Sequence, residues 1–192
     1  MAATVNVVEG NGSPVTWTQI TSARFCTADT HNPGSSNPCI VPQSGETHYS
    51  YWKHHCLDLS GDFTQIDNIR FYTDGSIGWT LGTGGEVRVG FRGTNGEPHG
   101  CPESNYQQAS GTEGTTGYAI EDNTNGHDYY KNESPATKNV ENYTSSSSLL
   151  VDNNTYTSPS KTYSVVLQVK LTDDATQGAQ PAETFTFTWD EI

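Results

Sequence analysis

The sequence predicts an all-β protein, an antiparallel β-sandwich or jelly roll carrying long loop insertions. Three observations predict it. Bulky apolar and β-branched residues alternate with polar ones at a period of two through about seven short segments. Clusters of Gly, Asn, Asp, Ser and Pro bound those segments, in a chain with 19 Gly and 9 Pro. No stretch carries a convincing helical period. Short strands at such turn spacing mark a sandwich rather than alternating β and α units.

The first segments, Thr4 to Val8 and Val15 to Ile20, are rich in β-branched residues. From Tyr49 to Ser60 the odd positions carry Tyr49, Tyr51, Lys53, His55, Leu57 and Leu59, while Ser50, His54, Asp58 and Ser60 fill the other face. That alternation predicts a half-buried strand, with Trp52 an exception on the polar face. Phe63 to Tyr72 follows, with Ile69 and Phe71 pointing the same way, and Thr73-Asp74-Gly75-Ser76 turns the chain. Glu86 to Arg92 alternates cleanly, with Val87, Val89 and Phe91 inward. The longest inward row is Tyr163, Val165, Leu167, Val169 and Leu171, and Phe185, Phe187 and Trp189 interleave with threonines near the end. Between Gly93 and Leu149 the chain is polar, with few apolar anchors. It is too long for a bare loop, so short strands and an excursion over one edge are expected there. There is no internal repeat and no clear second core, so residues 1–192 read as one domain, 93–149 as an insertion within it, and 1–9 as an N-terminal arm able to add a strand to a neighbour's edge.

Composition narrows the function classes. Nine Lys and Arg against 22 Asp and Glu give a formal charge of -13. Such a balance argues against nucleic acid, whose phosphates need a basic surface, and equally against an anionic membrane. No apolar run reaches the length of a spanning helix. Only 32% of residues are hydrophobic, yet four Trp, ten Tyr and six Phe in alternating segments argue for a folded chain. Met1 to Glu9 has neither a basic n-region nor an apolar h-region, so no signal peptide is expected. Cys26, Cys39, Cys56 and Cys101 form no close pair. Their even number in a Gly- and Asn-rich chain leans towards disulfides, and four cysteines allow three pairings. Cys26–Cys39 with Cys56–Cys101 is the hypothesis taken here. Disulfides are unusual in a reducing cytosol and fit a particle oxidised after release.

Each chemical motif has a plainer reading beside it. Lys53-His54-His55-Cys56 puts His54 and Cys56 on one strand face, where a zinc ion would also need His31, His48 or His99 to converge. Nothing in the spacing fixes that convergence, and a cystine with two strand histidines is the favoured alternative. Glu121, Asn123, Asn125 and Asp128, around Gly126, imitate the first half of a calcium loop. Position twelve is Asn132 rather than a bidentate Glu, so a solvated turn is the favoured alternative, and calcium is the one cofactor considered. Trp79, in a Gly-rich stretch, is the tryptophan best placed to contact a glycan, against structural packing. Gly82-Thr83-Gly84-Gly85 lacks the Lys and following helix of a phosphate cradle. No Gly-x-Ser-x-Gly elbow occurs, and no pair of carboxylates is singled out, so no catalytic residue is assigned. The sequons Asn132-Glu133-Ser134, Asn142-Tyr143-Thr144 and Asn153-Asn154-Thr155 matter only in a eukaryotic secretory pathway.

Two stretches, Tyr51 to Tyr72 and Thr184 to Glu191, are notable together. A strand ending in Gly61-Asp62-Phe63, then Ile66-Asp67-Asn68-Ile69-Arg70-Phe71, and a closing Thr186-Phe187-Thr188-Trp189-Asp190-Glu191 resemble small β-sandwich virion proteins of tailed bacterial and archaeal viruses. Asp173 to Ala179 fits the same pattern, and the middle insertion is unmatched. The resemblance implies a non-enzymatic capsid decoration or particle-surface role, on the virion surface, and carries over no functional residue. A homo-oligomer that binds itself or a shell protein is the expected partner arrangement. A filament or surface-layer subunit assembled outside the cell by strand exchange, and a carbohydrate-binding or host-attachment module, are the alternatives.

Overall fold

The computed structural model describes residues 2–31 and 35–192. Met1 of the expected arm and Asn32 to Gly34 of the loop between Cys26 and Cys39 lie outside the described residues. The strands, in chain order, are β1 (Thr4–Asn11), β2 (Thr16–Gln19), β3 (Thr47–Tyr49), β4 (Lys53–Ser60), β5 (Ile66–Tyr72), β6 (Glu86–Gly90), β7 (Gly111–Thr112), β8 (Thr116–Gly117), β9 (Thr137–Asn139), β10 (Leu149–Asp152), β11 (Ser160–Lys161), β12 (Val165–Thr172) and β13 (Thr186–Glu191). Eight of them form one antiparallel sheet ordered β2-β1-β4-β12-β6-β9, with β11 beside β4 and β3 beside β12. A second sheet runs β10-β5-β13, and β7 and β8 make a small hairpin. The fold is all-β, and its packing is that of a sandwich, eight strands against three.

Alternation builds the core between the sheets. Val165, Leu167, Val169 and Leu171 of β12 join Leu57 and Leu59 of β4 and Val87 and Val89 of β6. They share one cluster with Ile66, Ile69 and Phe71 of β5 and Leu149 and Val151 of β10. Each such side chain contributes roughly 1.5–3 kcal/mol on burial. A bulge lets β5 turn Ile66 inward along with Ile69 and Phe71: Asn68 sits at φ 52, where Asn is tolerated, and the β13 register shifts between Thr188 and Asp190. Phe71 is central, meeting Phe185 and Phe187 edge-on at 5.8 and 5.6 Å.

Two sequence expectations are corrected. β4 is not half-buried: every residue from Lys53 to Leu57 is buried. The reason is the insertion, which crosses the outer face of the large sheet rather than only its edge. Tyr51, Trp52, Cys101, Ala109, Ile120, Tyr130, Ala136 and Val166 form a second core there. Trp52 thus fits its strand without being an exception, since both faces are covered. The N-terminal segment is not an arm. β1 lies between β2 and β4, paired to β4 from Thr4↔Ser60 to Gly10↔His54. Its Val5 and Val7 pack on the main core, and Val8 is buried.

Phe71→Ala should cost about 3–5 kcal/mol, the range for emptying an aromatic site that neighbours cannot refill. Denaturant unfolding would show this as a lower midpoint at unchanged slope.

Candidate functional site

The outer face of β4 carries the most chemically capable group of side chains. His54, the second residue of β4, is buried, as are His127 and Cys101. Their ligand atoms, two imidazole nitrogens and a thiol sulfur, lie within 4.8 Å of one another. His54 Nε2 and His127 Nε2 are 3.2 Å apart. Each residue comes from a different element. Cys101 is fixed by an isolated antiparallel bridge to Ser164, just ahead of β12. His127 follows a tight turn in which Gly126 N–H donates to the Asp122 carbonyl and His127 N–H to the Ile120 carbonyl. A Cβ at Gly126 would collide with those same two carbonyls, so the close approach requires glycine.

The surroundings orient the two rings. His54 Nδ1 lies 2.9 Å from Ser164 Oγ, which donates to the Cys101 carbonyl at 3.2 Å. Ser164 therefore accepts from His54 Nδ1–H, leaving the His54 Nε2 lone pair facing His127. His127 Nδ1 accepts a long bond of 3.3 Å from the Tyr129 N–H, so its Nε2–H donates to His54. Aromatic rings close the site: Tyr106 lies 4.6 Å from the His54 ring, and Trp52 and Tyr130 lie 5.5 and 5.1 Å from His127. Burial drives His54 well below the usual imidazole range, with the His127 charge a second cause. It pushes His127 down to about 4 and raises the Cys101 thiol. All three are neutral at neutral pH. A thiol held protonated is a poor nucleophile and, until it loses its proton, a poor metal ligand.

On the opposite face of β4 lies a buried ionic group. Glu9 of β1 takes Lys53 Nζ at 3.1 Å on one oxygen and His55 Nε2 at 3.0 Å on the other, and both Lys53 and Glu9 have no exposed side-chain surface. Lys53 also donates to the Thr30 carbonyl. Burial pushes the Glu9 carboxyl up, but His55 and Lys53 together outweigh it and hold it below its ordinary value.

The other sequence candidates are dispersed. His48 Nδ1 contacts the Ile40 carbonyl at 2.8 Å, and His99 stacks on Phe91 at 3.9 Å. Neither these nor His31 and Cys56 join His54; its partners are His127 and Cys101. The calcium candidates do not converge. Glu121 pairs with the buried Arg88, and Asp128 pairs with Lys131 at 2.5 Å. Asn123 and Asn125 are exposed, and Asp122, absent from the expected set, caps the turn through the Thr124 and Asn125 N–H groups at 2.9 and 2.7 Å. The turn serves to place His127. All four cysteines are free thiols, in place of the two expected cystines. Thr27 N–H and Oγ already close the Cys26–Cys39 loop on the Asn37 carbonyl at 2.8 and 3.1 Å. Burial and the neighbouring Cys26 push the Cys39 thiol up to about 12. Trp79 is half-buried, edge-on to Phe25 at 5.9 Å, and donates Nε1–H to the Pro181 carbonyl at 2.7 Å, so much of its surface is used in packing.

The second sheet ends in an open edge. β13 pairs with β5 on one side and with no strand on the other among the described residues. Ile192 and Gln65 exchange both backbone hydrogen bonds, at 3.0 and 3.2 Å. The N–H of Glu191, next along the strand, therefore points away from β5.

No family model, curated protein or solved structure matches the chain.

Glu9→Gln should destabilise the protein by about 3–5 kcal/mol at neutral pH, because it leaves the Lys53 ammonium buried without its counter-charge. The depressed Glu9 carboxyl contributes stability in full above its ordinary value of 4.5, and loses it as pH falls through the lower folded-state value. The gap between wild type and Glu9→Gln should therefore narrow below pH 4.5. Chemical denaturation of both across pH measures it, and a pH-independent gap would contradict the assignment.

Proposed function

We propose that this is a non-enzymatic structural protein of a particle surface, a virion protein that binds and stabilises an assembled shell in the manner of a capsid decoration subunit. The observation that carries the reading is the open edge of β13. Thr186-Phe187-Thr188-Trp189 is a strand of high β-propensity with no proline, and its only edge guards are Asp190 and Glu191. Unpaired backbone groups on such a strand are a template for a strand from another chain. A subunit that binds only the assembled form stabilises it by mass action and needs no catalytic centre. The resemblance of Tyr51 to Tyr72 and Thr184 to Glu191 to virion proteins points the same way.

An extracellular filament or surface-layer subunit would use the same edge, and differs in growing without closure. The glycan-binding alternative has less support, because Trp79 is already engaged by Phe25 and Pro181.

The test is size-exclusion chromatography with light scattering on the full chain, at rising ionic strength and with and without calcium. Salt relieves the repulsion expected of a charge of -13, so association should strengthen with it. A discrete closed oligomer that Glu191→Pro dissolves supports the shell-binding reading, since proline removes the outward donor while leaving the β5 pairing intact. Open-ended polymers support the filament. A monomer at all concentrations and salts, unchanged by Glu191→Pro, overturns both and leaves the glycan reading to be tried.

A further inference from the structure

We infer that His54, His127 and Cys101 form a binding site for a single thiophilic transition-metal ion of the zinc class. The inference stands on the ligand geometry and is independent of the shell-binding reading.

The donor set selects the metal. Two imidazoles and one thiolate suit zinc and its late first-row neighbours, whereas calcium and magnesium take oxygen ligands. Bond lengths of about 2.0–2.1 Å to nitrogen place two imidazole nitrogens on one tetrahedral ion about 3.3 Å apart. The observed Nε2–Nε2 separation is 3.2 Å. The Cys101 sulfur lies within 4.8 Å of a ring nitrogen of each histidine. The corresponding N–S edge of a tetrahedral site is about 3.6 Å, so closing the site calls for side-chain movement on the order of 1 Å.

The second layer is in place for the first ligand. A metal-bound histidine normally donates its other ring N–H to an oxygen, which fixes the tautomer, and Ser164 Oγ takes that role for His54 at 2.9 Å. His127 must move its proton from Nε2 to Nδ1, giving up its hydrogen bond to His54 and the 3.3 Å contact from the Tyr129 N–H. Cys101 must lose its proton to solvent: the divalent ion and Cys101–SH become the metal thiolate and one released proton, with no change of oxidation state. The thiol's present contacts, to the Pro102 and Asn105 carbonyls at 3.5 and 3.4 Å, are weak ones to give up. Three protein ligands leave one position of the tetrahedron open. Without an ion, the two imidazoles share one hydrogen bond inside a buried aromatic enclosure. The ion converts that weak pairing into two coordinate bonds.

The site is tested on the full chain, refolded from denaturant with Zn²⁺ or Co²⁺ so that the enclosure closes around the ion, then dialysed. The expected result is one ion per chain by mass spectrometry, a rise in the thermal midpoint, and a sulfur-to-cobalt charge-transfer band with Co²⁺. Cys101→Ser should abolish that band, and His127→Gln should abolish retention of the ion, while Cys56→Ser, a buried thiol outside the cluster, changes neither. Ser164→Ala keeps all three ligands and should weaken binding about 10- to 100-fold. It remains informative if the ligand variants do not fold. No retained ion in the wild type overturns the inference. So does a retained ion whose affinity is unmoved by Cys101→Ser or by Ser164→Ala, which would place it elsewhere.

Discussion

The structure depends on burial of the β4–β12 pair from both sides. In most antiparallel sandwiches the outer face of a sheet meets water, and polar residues there need no partner. Here the odd positions of β12 face the three-stranded sheet, and Val166 and Gln168 face the insertion. Every polar group on that second face must find an internal partner or cost roughly 1–3 kcal/mol. The outer face consequently holds polar side chains that tie the sheet to the insertion by hydrogen bonds.

Gln168 shows how this works. Its amide donates to the carbonyls of Ser50 and Tyr118 at 2.9 and 2.7 Å, and its oxygen accepts from the Ile120 N–H at 3.1 Å. One side chain thus ties the central strand both to the approach to β4 and to the insertion. Ser164 does the same a few residues earlier, between His54 and the Cys101 carbonyl. Arg88 of β6 reaches Glu121 and Thr137 and lies over the Tyr49 ring at 5.3 Å. These ties set the path of a polar insertion that has few apolar residues of its own. They bring Cys101 and the Asn-Gly turn before His127 over the start of β4, so the grouping of the three ligands follows from the way the insertion is anchored.

Which parts were legible in the sequence follows from the range of the interactions. Period-two alternation is local, so β4, β5, β6, β12 and β13 could be read from their own residues, as could the turns that separate them. The second core could not: Ala109, Ile120, Tyr130 and Ala136 are scattered through polar sequence and become a cluster only against Val166 and Trp52. The same holds for the ligands. His54 stood out in Lys53-His54-His55-Cys56, but its partners lie in separate segments, and no short spacing links them. The nearest thing to a signal was the turn at Asp122 to Gly126, whose oxygen-rich character suggested calcium. Its acidic side chains are spent on Arg88, Lys131 and the turn's own N–H groups. What the turn contributes is the position of the histidine that follows it. The N-terminal segment follows the same logic: its alternation suits a strand, but a strand's own residues do not say which neighbour it pairs with.

The two faces of β4 make a contrast in how charge and lone pairs are buried. On the inner side Glu9 takes Lys53 and His55, with the Thr30 carbonyl taking a further Lys53 donor, and such a buried ionic group brings little net gain in stability. On the outer side the ring nitrogens of His54 and His127 pair with each other, with Ser164 and, at a long 3.3 Å, with the Tyr129 N–H, and Cys101 has only weak carbonyl contacts. An apolar trio of the same volume would need none of these contacts, whereas three donor atoms within 4.8 Å of one another are what the proposed ion site requires. The insertion carries the conformational entropy of a long polar segment and rests on a small second core. A metal ion joining Cys101 and His127 to His54 on the sheet would fasten that segment at two points, so that ion binding and ordering of the insertion become one equilibrium.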